Sequence, residues 1–520
     1  MDISPFAALL LVALLSLLLL FGSKGKKGGS PSSGDDGRRL PPSPPGLPLL
    51  GHLPLLGSLP HRKLQAMAAK HGPVMLLHMG RVPTVVASSA AAAQEVMKTH
   101  DLAFASRPRV RMAERLLSDY DMAFAPYGEL WRQSRRVSVL HLLSQRRVRS
   151  FRHIREQEAA AMAGRVRRAG AGAAVNLNAV LISYTNGVIS RAVFGDDGSY
   201  ELDGGEKLAK LFSDFEELLG MATLGEFVPW LAWVDTLMGL EAKARRTSQE
   251  MGALLERVIA DHRRRRGGRR REGDGHRDFV DVLLDVNEAE EHAGGGGGGG
   301  VPFDNEAIKA MILLMFTAAT DTTYTTLVWA MAELINHPHE MRRVQDEIRA
   351  VVAGGDHITE EHLEKLRYLK HVIKETLRLH APLPLLLPHA TTEDTQLLGY
   401  RVPARTRVIV NAWAIARDPA AWERADEFVP ERFAGDDLTT DYMMSAQDFR
   451  FVPFGGGRRG CPGVGFAVPS MELALATLLY HFDWELPAGG PSKLEMDEMN
   501  GLSVRLKATL HLVAKPWSCP

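Results

Sequence analysis

The hydrophobic pattern of the chain changes character along its length. Pro5 to Gly22 is almost continuously apolar, broken only by Ser16. At 1.5 Å per residue such a helix is about 27 Å long, close to the roughly 30 Å hydrocarbon core of a bilayer. Asp2 precedes it, and Lys24, Lys26 and Lys27 follow at once. Positive charge on the C-terminal flank predicts an uncleaved transmembrane signal anchor over residues 5–22, with the remainder in the cytoplasm. A cleaved signal peptide is the alternative, but a basic n-region is missing and the apolar stretch is long for one. Residues 23–48 form a polar Gly/Ser linker that ends in Pro41-Pro42-Ser43-Pro44-Pro45-Gly46-Leu47-Pro48, a proline density that makes a stiff, extended hinge. From 49 to 520 the pattern shows no boundary that would separate a second domain.

Within that domain the period alternates. Val74 to Met79 and Val82 to Val86 read as short strands around a Gly80-Arg81 turn, and helical periodicity then dominates up to Leu386. Asn305 to Asn336 contains no Gly and no Pro; Ile308, Met311, Ile312, Met315 and Ala319 fall on one face, and Pro338 is read as the stop. The spacing predicts a helix of roughly 45 Å, long enough to cross a whole domain. Leu397 to Arg401 and Thr406 to Val410 read as a hairpin, and an apolar run extends from Val464 to Leu479.

Composition narrows the setting. The chain has 520 residues, 45% of them hydrophobic, and a formal net charge of zero, so nothing global points to nucleic acid. Cys461 and Cys519 are the two cysteines, which excludes a disulfide framework and suits a reducing compartment. No N-x-S/T acceptor occurs, in agreement with a cytoplasmic domain. The basic run at 261–277 is either a solvated loop between helices or a contact for anionic lipid or nucleic acid, and the seven glycines Gly294 to Gly300 carry no chemistry.

The candidate chemistry centres on Phe454-Gly455-Gly456-Gly457-Arg458-Arg459-Gly460-Cys461-Pro462-Gly463. Glycines let the backbone turn sharply beneath a sulfur and approach a flat ligand. Nearby N–H groups can donate to a thiolate, and arginines suit anionic groups on the same ligand. The bland alternative is a glycine-rich loop with a buried structural cysteine. In the long helix, Ala318-Ala319-Thr320-Asp321-Thr322-Thr323 places polar groups in an apolar stripe. Either the hydroxyls bond back to the preceding turn, or they form a proton relay beside dioxygen. Glu375 and Arg378 are neighbours on one helix face, and Trp131 and Arg135 are an i, i+4 pair. A packed Trp with a surface Arg explains that pair as simply.

Phe454, Gly457, Arg459, Cys461 and Gly463 fit F-x-x-G-x-R-x-C-x-G, which resembles the haem-binding loop of the cytochromes P-450. The other motifs occur in that family's order, and together they resemble a plant microsomal member of the A-type clan. The resemblance implies a mainly α fold with a small β region: one catalytic domain, 49–520, behind the anchor. It implies haem (heme b) ligated by the Cys461 thiolate, with Phe454 and Arg459 on the cofactor. Trp131, Arg135 and His389 would meet its propionates, His389 as a weaker and pH-sensitive partner than the commoner Arg. It also implies a buried brace of Glu375, Arg378 and Arg432. Asp321 and Thr322 match the family's acid and alcohol, whereas Ala319 stands where its pattern has Gly. A methyl there narrows the oxygen groove while retaining helix propensity.

The implied activity is monooxygenation of a small apolar substrate, with electrons from NADPH through NADPH-cytochrome P-450 reductase at the endoplasmic reticulum membrane. Arg132, Arg136, Arg146 and Arg147 make a basic neighbourhood that suits an acidic flavoprotein, though a solvated helix face explains the charges equally well. The Ala-Ala-Thr-Asp-Thr-Thr-Tyr run resembles grass enzymes that oxidise indole and its benzoxazinone descendants. Two rivals remain: an O₂-independent haem-thiolate isomerase or dehydratase, and a non-catalytic membrane haem protein. The acid–alcohol pair argues against both.

Overall fold

Asn305–Asn336 forms one helix of 32 residues around which the other elements pack. Asp304 starts it: its carboxylate accepts from the Ala307 N–H, filling an orphan donor of the first turn. Pro338, read as a stop, instead occupies the first turn of the next helix, Pro338–Val352, where a missing N–H costs nothing. The computed structural model describes residues 39–170, 172–195, 206–268, 277–292, 303–435, 442 and 449–517. The anchor at 5–22, residues 23–38 of the linker, Cys519, Gly294 to Gly300 and residues 269–276 of the basic run lie outside the described residues, whereas 261–268 of that run continue the helix Leu240–Gly268 and are not a loop.

The central helix is buried on nearly every side, against Leu177–Phe194, Arg367–Leu379 and Val464–His481. Its polar residues survive burial by bonding back to the turn before. Thr317, Thr320, Thr322 and Thr326 donate to the carbonyls of Leu313, Phe316, Ala318 and Thr322. Val464–His481 is long and apolar enough to cross a membrane, but it is 67% buried inside the molecule and serves as a core helix.

Strands are few and short. Val74–Met79 pairs antiparallel with Val82–Ala87, closing at Met79 opposite Val82. The expected hairpin further on needs correcting. The hairpin is Thr395–Leu397 with Tyr400–Val402, turning at Leu398 and Gly399, while Arg407–Val410 leaves it to run parallel to Val82–Ala87. His389–Ala390 pairs on its other side. The molecule is thus mainly helical with small sheets.

The Glu375 brace is present and saturated. Arg378 uses all five N–H groups: two on the Glu375 carboxylate and three on the carbonyls of Ala416, Ala425 and Glu427. Arg432 donates to Glu375 at 2.9 Å, and the Val429 N–H adds a further bond. Glu375 and Arg378 are fully buried, a situation tolerable only because every donor is matched.

Candidate active site

A cavity separates the central helix from the cysteine loop. Ala318, Ala319, Asp321 and Thr322 line one wall, and Phe454 to Gly456 with Arg459 to Gly463 line the other. Gly457 has φ +61°, and a Cβ there would lie 1.9 Å from the Met97 carbonyl oxygen, so no larger residue fits the turn. The Cys461 N–H donates to the Phe454 carbonyl at 2.8 Å, closing the loop. Burial pushes the Cys461 thiol up, against the N–H groups of Gly463 and Val464 and the charge of Arg135. Those groups would favour a thiolate. Cys461 is the one cysteine among the described residues, and it is free.

One end of the cavity is strongly cationic. Arg107, Arg135 and Arg459 all line it. Arg107 is buried and donates to the carbonyls of Ala123, Leu387 and Pro388. Arg459 lies over the Trp131 ring, 4.2 Å from its centroid, and donates to Ala105, Met122 and Ala125. Burial and the neighbouring Arg107 bring it down to about 9. The Arg135 guanidinium has no hydrogen bond or ion pair to any described residue. Asp121 is the carboxylate facing Arg107 and Arg459; burial raises it to about 6 against the Phe124 and Ala123 N–H groups and both arginine charges. Three guanidinium groups against one carboxylate leave positive charge for an anionic ligand.

Two expected cofactor residues take other partners within the protein. The Trp131 indole N–H donates to the Met122 carbonyl at 3.0 Å, so Trp131 offers the cavity its ring. His389 Nδ1 donates to the Phe104 carbonyl at 2.9 Å. Burial, with the charge of Arg107, lowers its pKa to about 3. The expected pH-sensitive histidine is therefore neutral across the physiological range in this framework.

Thr322 and Asp321 also diverge. Thr322 lines the cavity with its hydroxyl donated to the Ala318 carbonyl at 2.8 Å, which leaves its lone pairs available. Asp321 is buried and held from behind. Ser503 Oγ donates to it at 2.5 Å, and Arg505 forms an ion pair with its other oxygen. Ser503 and Arg505 were not legible as site residues, because each acts across the fold without any local motif.

The substrate side is aliphatic: Leu219, Leu314, Met315, Leu383, Leu386 and Leu502. The strap Pro382 to Leu387 is fixed through its main chain. The Pro382 carbonyl accepts from Val504 N, the Pro384 carbonyl from Trp413 N, and Leu386 closes a turn onto Leu383 with φ +51°.

Comparison with known proteins agrees with this geometry. The cytochrome P450 family profile matches residues 41–513. Cytochrome P450 71A1 of Persea americana is 46% identical over 468 residues, 89% of this chain and 91% of its own. Norfluorocurarine oxidase of Strychnos sp is 43% identical, over 92% of this chain and 93% of its own. A zebra fish cytochrome P450 solved with progesterone superimposes with a TM-score of 0.74 at 25% identity, covering 88% of this chain and 99% of that one. The chain belongs to the cytochrome P450 family, alongside plant members. It is a haem-thiolate monooxygenase of plant metabolism, and the family's cofactor is haem held by a cysteine thiolate.

The residues present fit that group. The cavity offers a lone cysteine on one wall and, on the other, small residues (Ala318 and Ala319) that leave room for a flat ring. The unpartnered Arg135 carries the charge that a propionate would neutralise.

Proposed function

We propose that the protein inserts one oxygen atom of O₂ into a small apolar substrate, with Cys461 as the iron ligand and Asp321 and Thr322 as the proton relay. Haem when bound supplies the oxygen activation, and the thiolate favours O–O cleavage. The single observation that carries the reading is the cavity itself, with Cys461 on one wall and Ala318 to Thr322 opposite, inside an aliphatic enclosure. Arg135 and Arg459 would hold the propionates electrostatically, with Trp131 stacked beneath Arg459 and His389 closing the same end as a neutral imidazole. Phe454 packs at the loop entrance. Thr322, its proton on the Ala318 carbonyl, accepts a proton from the Asp321 side and passes it into the cavity. The leucine walls exclude water and admit apolar ligands.

Electrons come from NADPH through NADPH-cytochrome P-450 reductase, so that substrate, O₂, NADPH and a proton give hydroxylated product, water and NADP⁺. The enzyme is held on the endoplasmic reticulum membrane by residues 5–22, with 23–48 as linker and hinge and 49–520 as the catalytic domain. An exposed apolar surface supports this placement. Leu224, Trp230, Trp233, Leu237 and Met238 project from one segment. The Gly80-Arg81 turn joins that segment to the hinge side: Gly80 N donates to Leu50 and Arg81 N to Phe227. Leu47, Leu49 and Leu55 are exposed there too.

The first substrate to test is indole. Microsomes containing this chain and the reductase, given NADPH, indole and ¹⁸O₂, are expected to yield an indole product carrying one ¹⁸O. Absence of product where control substrates turn over removes indole. Label from water in place of O₂ removes the monooxygenation step.

A further inference from the structure

Asp321 is too enclosed to take protons from water unaided. Its side chain is 3% exposed, its Oδ2 is occupied by Ser503 Oγ, and its Oδ1 is paired with Arg505 Nη2. Ser503 is itself held by the Thr325 hydroxyl at 3.1 Å, so the acid cannot simply turn outward. The same Arg505 nitrogen lies 3.2 Å from Glu216 Oε2. One guanidinium nitrogen therefore bridges two carboxylates, one on the central helix and one on the helix Glu206–Leu219. Side-chain exposure rises outward from 3% at Asp321 to 15% at Glu216 and 35% at Arg505. Solvent thus approaches the buried acid from the side that Glu216 and Arg505 occupy.

We propose that Glu216 is the outer proton donor of the oxygen-activating site and that Arg505 is the gate between it and Asp321. The idea rests on the reading of Asp321 and Thr322 as the inner relay. Each insertion of one oxygen atom, with the other leaving as water, takes up two electrons and two protons. The electrons come from NADPH through the reductase and the protons from bulk water. Glu216 loads from water. It then gives its proton, across the gap that Arg505 spans, to Asp321, which passes it to Thr322. No other bond is made or broken along this route.

Arg505 makes the transfer directional. While it pairs with Arg505, Asp321 Oδ1 is blocked as a proton acceptor. When Glu216 loses its proton it becomes the second anion on the same guanidinium, and any movement of Arg505 toward it frees Asp321 Oδ1 to take that proton. The proton and the guanidinium thus exchange partners in opposite directions. Burial and the charge of Asp321 raise Glu216 to about 7, against Arg505, so it can load and unload near neutral pH. Among the described residues the charged and titratable groups around it are few. Asp321 and Arg505 face it directly, and Tyr324 lies with its ring 5.9 Å from Arg505, its hydroxyl bonded to Asn178. Lys243, on the neighbouring helix, is paired with Asp214 and Glu217.

The bland account is a staple that fastens Glu206–Leu219 to the 503–505 segment. Three variants of the full chain, E216Q, E216D and D321N, separate the two. Each is reconstituted with the reductase in microsomes, and the partition of consumed O₂ between peroxide and water is followed from pH 6 to 8.5 in H₂O and D₂O. E216Q is expected to shift O₂ toward peroxide, to slow water formation by up to about a hundredfold, and to abolish the pH dependence near neutrality while enlarging the solvent isotope effect. E216D restores both. Infrared difference spectra across the same pH range are expected to show a protonated carboxyl band that is missing in E216Q. Wild-type pH and isotope profiles in E216Q, with D321N uncoupled, overturn the role of Glu216 and leave the inner relay standing. A D321N enzyme that couples like wild type overturns the relay and the proposal with it. A drop in melting temperature shared by E216Q and E216D, with unchanged partition, assigns the staple.

Discussion

Cys461 and Thr322 face each other across one cavity, and their failures should differ in kind. Cys461→Ala is expected to abolish the long-wavelength Soret band of the reduced, carbon-monoxide-bound protein, because no other thiolate is within the described site. Persistence of that band would disprove the ligand assignment. Thr322→Ala leaves the framework intact, since the lost bond is one back-bond to Ala318 on a helix already saturated by its main chain. It should instead raise peroxide release per NADPH consumed, and a product-to-NADPH ratio equal to wild type would remove Thr322 from the relay. The two residues were legible in sequence because each sits in a dense local motif. His389 was legible as a position but not as a charge state. What makes it neutral is burial beside Arg107, 282 residues away in the chain, and no window of sequence contains both.

At the scale of elements, the helix Asn305–Asn336 was readable to its ends, because it lacks Gly and Pro and carries one apolar face. The hairpin was misassigned for a physical reason. Thr406 to Val410 has the β-branched content of any strand, and only the twist and register of Val82–Ala87 choose its partner. The ion pairs of Glu498 were equally invisible. Glu498, near the C-terminus, accepts from His61 Nε2 at 2.9 Å and from Arg62 Nε at 2.6 Å, locking the helix Pro60–His71 to the far end of the chain. Burial raises the Glu498 pKa, but the bonds from His61 and Arg62 outweigh it and bring the group from 4.5 to about 2. A carboxylate depressed on folding stabilises above its unfolded pKa and loses that contribution as pH falls from about 4.5 toward 2. Glu498→Gln should therefore cost roughly 2–3 kcal/mol at pH 7 and flatten the acid limb of a melting-temperature titration. An acid limb as steep as wild type would show that the pair does not carry the pH dependence.

For the whole molecule, the exposed apolar residues of 224–238 and 47–55 define a side, and the segment expected to anchor the chain lies just beyond the hinge. Trp230 and Trp233, 43% and 50% exposed, should be quenched by brominated lipid when the full chain is reconstituted in vesicles. Replacing both with Ser should remove most of that quenching while the protein stays in the vesicle fraction. Quenching at the wild-type level would put this surface in water.

The strap Pro382 to Leu387 has a consequence for ancestry. Its path is secured by carbonyl and amide groups that every amino acid possesses, from Val504, Trp413 and its own turn at Leu383. Selection can therefore exchange the side chains at Leu383 and Leu387 almost independently of stability, while Leu386, with φ +51°, resists β-branched replacements. Divergence of diet within such a lineage can proceed by rewriting a few letters on a fixed line, and enzymes that share this scaffold closely need not share a substrate.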